Sequence, residues 1–205
     1  MGWHDSPTDY PPRELCSWQN RFDDPERDYR TLYCANTIVT CMREVLADLR
    51  PNAVARADFA RWQIDQGVPA EALAEPARRV TMRWREEHVL VAVELDRDGP
   101  LADIDDVSLR SELERAHGGL LREHGMAHLD ISEVRSKSRP VTQAISRDLF
   151  DHGAAGLIFG SNLDDGRCAV AFEGRCTLEA TADPVPLSED LPELLQVCRE
   201  YGLLL

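Results

Sequence analysis

The stretch RFDDPERDYRTLYCANTIVTCMRE, from Arg21 to Glu44, decides how the fold begins. Its segment YRTLYCA, residues 29–35, is short and aromatic, which predicts a β-strand. Asn36 follows as a predicted helix N-cap, because its short polar side chain can accept from the first free backbone N–H groups. Apolar residues then recur at helical spacing until Pro51 stops the run. The stretch therefore predicts a strand followed by a helix with one apolar face.

Glu44 does not belong to the apolar face of this helix. At about 100° per residue it lies beside Thr37, Thr40 and Cys41, away from the apolar stripe. Its carboxylate therefore faces either water or a cleft.

The rest of the chain mixes predicted helices and strands. Helices are predicted at residues 53–64, at 109–121 with a weak point at the two glycines 118–119, at 140–152, and from about 188 onward. Strands are predicted at 88–95, as a buried strand, at 129–134, and as a hairpin of 156–162 and 168–173 joined by the turn LDDGR. Because the strands pair both locally and at a distance, an α+β fold is expected. We interpret residues 1–17 as an extended N-terminal segment that leads into the domain, and residues 18–205 as a single domain.

Composition and charge exclude several classes of function. Lys and Arg number 23 against 37 Asp and Glu, so the net charge of −14 repels nucleic acid, although a few clustered arginines could still bind a small anion. The six cysteines form no C-x-x-C pair and predict reduced thiols. His124 and His128 have no third ligand at a suitable spacing, so no metal site is expected. The sequence has no basic leader and no apolar run of about 20 residues, which predicts a cytoplasmic protein without a membrane span.

Four short motifs occur in an order that is similar to the RES domain family, which is named for an arginine, a glutamate and a serine. They are RFDDP at Arg21, TLYCA around Tyr33, CMREVL with Glu44, and GLIFGSN around Ser161. The segments PVTQAISRDLF and CAVAFE also resemble the helix before the family's serine and the strand after it. The likeness spans about residues 18–180.

The resemblance implies an ADP-ribosyltransferase-like fold, with a mixed sheet surrounded by helices. It implies that NAD is consumed as a substrate, by hydrolysis, phosphorolysis or ADP-ribosyl transfer, with no separate cofactor. It also implies a toxin paired with an antitoxin protein, and it leaves a homodimer open. The chain departs from the family at Asn162, where many members carry arginine, and in the long acidic segment after Arg21. Arg30 could supply a phosphate contact that is lost through these departures.

The chemistry of NAD cleavage assigns a role to each motif residue. Positive charge develops on the ribose as nicotinamide leaves, and Glu44 is expected to stabilise it. Arg21 is expected to bind the pyrophosphate through paired hydrogen bonds. Tyr33 offers a flat face for the nicotinamide ring, or is simply a half-buried strand tyrosine. Ser161, with Asn162 after it, is expected to hydrogen-bond the ligand.

Two questions stay open at the level of sequence. Arg30 is either a second pyrophosphate ligand or a surface arginine paired with Asp28 or Glu26. The whole domain is either an NAD-consuming enzyme or a catalytically silent interaction domain, for which apolar residues in LPELL and GLLL near the C-terminus would provide a surface. An enzyme acting on another nucleotide is a third reading. Because no histidine has triad spacing to Ser161, an acyl-transfer nucleophile is not predicted.

Overall fold

A computed structural model describes residues 6–73, 78–134 and 139–205 of the chain. The α-helices in these ranges are α1 (Ile38–Val45), α2 (Ala53–Asp65), α3 (Met82–Glu86), α4 (Val107–Ala116), α5 (Gly118–Glu123), α6 (Ile131–Val134), α7 (Arg139–Asp151) and α8 (Pro192–Tyr201). The strands are β1 (Thr31–Ala35), β2 (Arg78–Arg79), β3 (Val89–Leu90), β4 (Val93–Arg97), β5 (Leu101–Asp103), β6 (Gly156–Gly160), β7 (Arg167–Phe172), β8 (Cys176–Ala180), β9 (Val185–Pro186) and β10 (Leu203–Leu204).

The main sheet has four strands in the order β1-β7-β6-β5. Its β6–β7 pair is an antiparallel hairpin, β1 runs antiparallel to β7, and β5 joins the other edge parallel to β6. Three smaller pairs, β4–β8, β3–β9 and the parallel β10–β2, lie outside it. The sheets thus contain both parallel and antiparallel pairs, and the strands and helices do not alternate in a regular βαβ series. The fold is therefore α+β, as the sequence predicted.

Two hydrophobic cores hold the helices in place. The apolar face of α7, with Val141, Ile145 and Leu149 buried, packs in one core with the sheet residues Leu157 and Val170. A second core joins α1 to α8, through the residues Met42, Leu46, Leu194 and Val197. Helix α1 is therefore fixed by its apolar face, and its polar face is free to contribute to a site.

The N-cap of α1 is Thr37, not Asn36 as the sequence predicted. The Thr37 side chain accepts from the backbone N–H of Thr40 at 3.1 Å. Asn36 is occupied by the neighbouring strand, because its side-chain oxygen accepts from the backbone N–H of Arg167 at 2.8 Å. Asn36 therefore joins the end of β1 to the start of β7.

The predicted helices α2 and α7 and the β6–β7 hairpin are confirmed, and the break at Gly118 separates α4 from α5. The prediction of one buried strand over residues 88–95 is wrong, because the chain divides into β3 and β4, whose partners differ. Both pairs are short and leave Val89 and Glu94 exposed.

Two other predicted elements also differ from the structure. The segment 129–134 was predicted as a strand, but the Asp130 carbonyl accepts from the backbone N–H groups of Glu133 and Val134 at 3.1 Å each, which closes the helix α6. The terminal helix begins at Pro192 rather than near residue 188, since proline fits the first turn of a helix. Gly202, at a φ of 64°, ends it.

The segment before residue 18 packs on the domain. The Tyr10 hydroxyl donates to the Cys176 carbonyl at 2.8 Å, and Arg13 donates to the carbonyls of Arg27 and Asp28 at 2.7 Å each. The domain boundary at residue 17 stays a prediction. In the part of the chain that the structure describes, no helix has both the length and the apolar character needed to cross a membrane.

Candidate active site

Glu44 and Ser161 meet at one end of the main sheet. Ser161 follows the last residue of β6 and is only 2% exposed. Its hydroxyl donates to Oε1 of Glu44 at 2.7 Å and accepts from the backbone N–H of Leu163 at 3.0 Å. Two residues that are 117 positions apart in the sequence therefore form one hydrogen-bonded pair. The carboxylate of Glu44 is held in a fixed orientation, on the polar face of α1.

Asp164 fixes the loop after β6 to helix α1. Its Oδ2 accepts from the Thr40 hydroxyl and from the Arg43 guanidinium, at 2.8 Å in both cases, and its Oδ1 accepts from the Gly166 N–H at 2.9 Å. Burial favours the neutral acid, but Arg43, the Gly166 N–H and Thr40 outweigh it and hold the pKa of Asp164 below its ordinary value. Because α1 carries Glu44, this ionised anchor aligns Glu44 with Ser161.

Gly166 is required where this loop passes Thr40. A Cβ at Gly166 would lie 2.0 Å from Oγ1 and 2.7 Å from Cγ2 of Thr40, which no side chain could occupy without displacing α1 or the loop. The Gly166 carbonyl also accepts from the backbone N–H of Ser161 at 2.8 Å. The turn LDDGR, which the sequence marked only as a hairpin connection, therefore positions the catalytic candidates.

Arg21 lies with its guanidinium over the ring of Phe159, two residues before Ser161. Its Cζ is 5.5 Å from the centre of the Phe159 ring, and its Nε is buried without a hydrogen-bond partner within the described part of the chain. Burial lowers the pKa of Arg21, the charge of Glu44 opposes this, and the nearby charge of Arg139 lowers it further. Arg21 is thus a partly desolvated cation over Phe159, at the end of the strand that leads to Ser161.

Tyr33 fixes the segment that carries Arg21. The backbone N–H of Phe22 donates to the Tyr33 hydroxyl oxygen at 2.9 Å. Burial raises the pKa of Tyr33, so its phenol stays neutral. Tyr33 also packs against the first core, and its observed contacts are those of a half-buried strand tyrosine that positions Arg21. Its stacking on a nicotinamide ring stays a prediction.

Arg30 is not brought to this cluster, and its partners are not the predicted Asp28 and Glu26. Its guanidinium pairs with Glu173 and donates to the Pro11 carbonyl at 2.7 Å. These contacts lie at the other end of β1, where Thr31 pairs with Phe172, whereas Ala35 at the site end pairs with Cys168. The protein itself supplies acceptors for Arg30, so a pyrophosphate role is not retained for it.

A cavity of about 260 Å³ opens beside Ser161. Its lining residues are Asp105, Gly160, Ser161, Asp164, Asp165, Gly166 and Arg167. Arg167 is paired with Asp103 at 2.7 Å and lies 3.7 Å from Asp105, and Asp164 is paired with Arg43 at 2.8 Å, so the wall carries three aspartates of which two have arginine partners. Asn162 is exposed next to this wall. The sequence analysis did not identify this wall, because it treated Asp164 and Asp165 only as turn residues and assigned no role to Asp105.

The fold and the site define a class of α+β protein with a buried serine, a helical glutamate and a partly buried arginine meeting at the end of a mixed sheet. The family model of the RES domain matches residues 2–192, so the chain belongs to the RES domain family. No curated protein and no solved structure matches the chain significantly. The ADP-ribosyltransferase-like arrangement of the elements therefore stays a prediction.

Proposed function

We propose that the protein consumes NAD by breaking the bond between nicotinamide and ribose. The observation that carries the proposal is the 2.7 Å hydrogen bond from Ser161 to Glu44, at the end of the strand whose Phe159 ring contacts the guanidinium of Arg21. Membership of the RES domain family, which is generally linked to NAD and to toxins, supports the same substrate.

Glu44 would act on the charge that develops during bond cleavage. The electron pair of the C–N bond leaves with nicotinamide, so positive charge builds on the ribose ring. A carboxylate about 4 Å away, at an effective dielectric constant near 20, attracts that charge by about 4 kcal/mol, equivalent to roughly three decades of rate. Because Ser161 engages one oxygen of Glu44, the carboxylate is oriented before the substrate arrives, and its other oxygen can accept from a ribose hydroxyl.

Water is the acceptor that the surroundings of Ser161 favour. Inorganic phosphate would approach a chain whose net charge of −14 repels an anion. Arg43 and Arg167, which could attract it, are paired with Asp164 and with Asp103 and Asp105. Water would add its oxygen to the anomeric carbon and lose a proton, giving ADP-ribose. Phosphorolysis is the second candidate and transfer of ADP-ribose to a protein is the third.

The physiological role we propose is that of a toxin that depletes NAD and is neutralised by an antitoxin protein. The family supports this role. The alternative, a silent interaction domain, loses part of its C-terminal surface, because Leu194 and Leu203 are buried in the second core while Leu204 is 48% exposed. Exposed apolar residues are also found on α2, where Val54, Trp62 and Ile64 are each more than half exposed.

The test is to incubate the purified protein with NAD, with and without inorganic phosphate, and to separate the products by chromatography. We expect nicotinamide and ADP-ribose in equal amounts in both conditions. The Glu44→Gln variant is the control for contaminating activity. A phosphorylated ADP-ribose product, or radiolabel from the adenylate on protein after addition of a cell extract, would change the acceptor. No release of nicotinamide by the wild type would favour the interaction domain.

A further inference from the structure

Helix α2 contacts the rest of the described chain along one narrow side. Gln63 is its buried residue, Phe59 and Ala60 are half-buried, and its other residues are exposed. Two large apolar side chains, Trp62 and Ile64, are 56% and 52% exposed. A helix of 13 residues is only marginally stable in water by itself, because most helical stability in proteins comes from the packing of one face. The exposed side of α2 is therefore suited to pack against a partner.

The exposed side of α2 has a sequence pattern that is complementary to a second copy of itself. At about 100° per residue, the residues that point away from Gln63 follow one another at spacings of four, three and four positions. They are Val54, Asp58, Arg61 and Asp65. Because this pattern is symmetric about its midpoint, a second α2 running antiparallel brings each Asp58 opposite an Arg61. Val54 then lies opposite Asp65 at the two open ends of the pair, where the carboxylate stays hydrated.

The flanks of the same pairing match large side chains with small ones. Trp62 and Ala55 lie on one side of the central row, and Ile64 and Ala57 lie on the other. A two-fold axis between antiparallel helices places each flank against the same flank of the partner. Trp62 of one copy therefore lies on Ala55 of the other, and Ile64 lies on Ala57.

Charge selects the antiparallel direction over the parallel one. A parallel pair would place Asp58 against Asp58 and Arg61 against Arg61, so like charges would meet. Within one chain, Arg61 lies 3.9 Å from Asp58, and their side chains are 76% and 64% exposed, so this pair is weak and both groups remain accessible. The charged residues of α2 are two arginines and two aspartates, which makes this helix neutral in a chain of net charge −14. The repulsion between two acidic chains is therefore smallest at α2.

We propose that α2 is a self-association surface, through which two copies of the chain pair antiparallel about a two-fold axis. This inference is independent of the proposed NAD chemistry. A helix of 13 residues is about 20 Å long, too short to bury the about 800 Å² per partner of a standard interface. We therefore expect a reversible dimer with a dissociation constant of about 10–100 μM.

The test is sedimentation equilibrium of charge variants at about 0.15 M salt and protein concentrations up to about 500 μM. Asp58→Arg places arginine against arginine, and Arg61→Asp places aspartate against aspartate, so each variant alone should remain a monomer. An equimolar mixture of the two should form a dimer, because each contact then joins an arginine to an aspartate. The double variant, which keeps the net charge, should also dimerise. Arg83→Asp is the matched control on α3, where the side chain is 86% exposed, and it should associate like the wild type.

A second pair of variants tests the apolar flank without a change of charge. Trp62→Ala should raise the dissociation constant about tenfold or more, since it removes a large side chain from the contact. Met82→Ala, at a position on α3 that is 66% exposed, should change it by less than about twofold. Urea unfolding confirms that each variant is folded, and the Trp62→Ala result decides the question if a charge variant does not fold.

Two results would overturn the inference. The first is a wild-type protein that stays a monomer over the whole concentration range. The second is a dimer whose dissociation constant is the same in Asp58→Arg, Arg61→Asp, Trp62→Ala and the two controls, because the interface would then lie on another surface. Release of nicotinamide from NAD is measured separately, so either result leaves the proposed function to its own test.

Discussion

Arg21 and Arg30 come from one stretch of sequence but have opposite surroundings. Arg30 is held by Glu173 and by the carbonyls of Tyr10 and Pro11, so the protein provides acceptors for it. Both arginines have a buried Nε without an acceptor in the described residues, but the Arg21 guanidinium, which lies over the ring of Phe159, forms no side-chain hydrogen bond or salt bridge with a described residue. An arginine whose guanidinium is hydrogen-bonded by the protein contributes to the stability of the fold. An arginine that is partly buried and has no acceptor in the protein is suited to bind an anionic ligand.

The largest expected effect is at Glu44, the carboxylate that accepts from the Ser161 hydroxyl. We expect Glu44→Gln to lower NAD turnover about a hundredfold or more, because the amide keeps the shape but loses the charge that stabilises the transition state. The side chain lies off the apolar face of α1, so the free energy of unfolding should change little. Initial rates of nicotinamide release and urea unfolding provide the two measurements. Glu94→Gln, on an exposed position of β4, is the matched control. Equal rates for the two variants would remove Glu44 from the mechanism.

Arg21→Ala should come second, with an effect on binding. We expect the KM for NAD to rise about 30-fold, equivalent to about 2 kcal/mol, while kcat changes much less, because a pyrophosphate contact is equally present in ground and transition states. Steady-state kinetics over a wide NAD range separates the two constants. A fall in kcat at unchanged KM would instead mean that Arg21 acts on the reacting ribose and not on the phosphates.

The two arginines also show what could be predicted from the sequence. The sequence placed Glu44 on the polar face of a helix and Ser161 after a strand from local patterns, and the motif order that resembles the RES domain family singled them out together. The structure brings the two side chains into contact, and their role in the reaction stays a prediction. The partner of Arg30 could not be predicted, because Glu173 is 143 positions away.

The secondary structure shows the same difference between features that are local in the sequence and features that depend on distant residues. Helices α1 and α7 and the β6–β7 hairpin depend on periodicity and turns within a short window, and they were predicted. Strands β3 and β4 were predicted as one, because their separate partners β9 and β8 lie about 90 residues downstream. Strands β5 and β6 also pair at a distance, with Leu101 opposite Gly156, and no pattern within a short window of sequence predicts this pairing.

Arg30→Ala should affect stability instead of substrate binding. Loss of the charged hydrogen bonds to Glu173 and to the Pro11 carbonyl should lower the free energy of unfolding by about 1–2 kcal/mol, because the pair is mostly shielded from water. The KM for NAD should stay within about twofold of the wild type. Urea unfolding and steady-state kinetics on the same preparation test both halves. A KM increase as large as that of Arg21→Ala would return Arg30 to the site.

The smallest expected effect is the pH dependence of the Arg30–Glu173 pair. The hydrogen bond from Arg30 holds the pKa of Glu173 below its ordinary value. In the unfolded chain this carboxyl titrates near pH 4.3, so its contribution to stability is fully present above about that pH and is lost as the pH falls through the lower folded-state pKa. Glu173→Gln removes the titrating group. The wild type should therefore be the more stable protein near pH 7, and the difference in unfolding free energy should shrink as the pH falls below about 4. Urea unfolding of both proteins across this range measures that difference, and a difference that stayed constant down to the acid limit would mean that Glu173 stabilises the fold through packing and not through its charge.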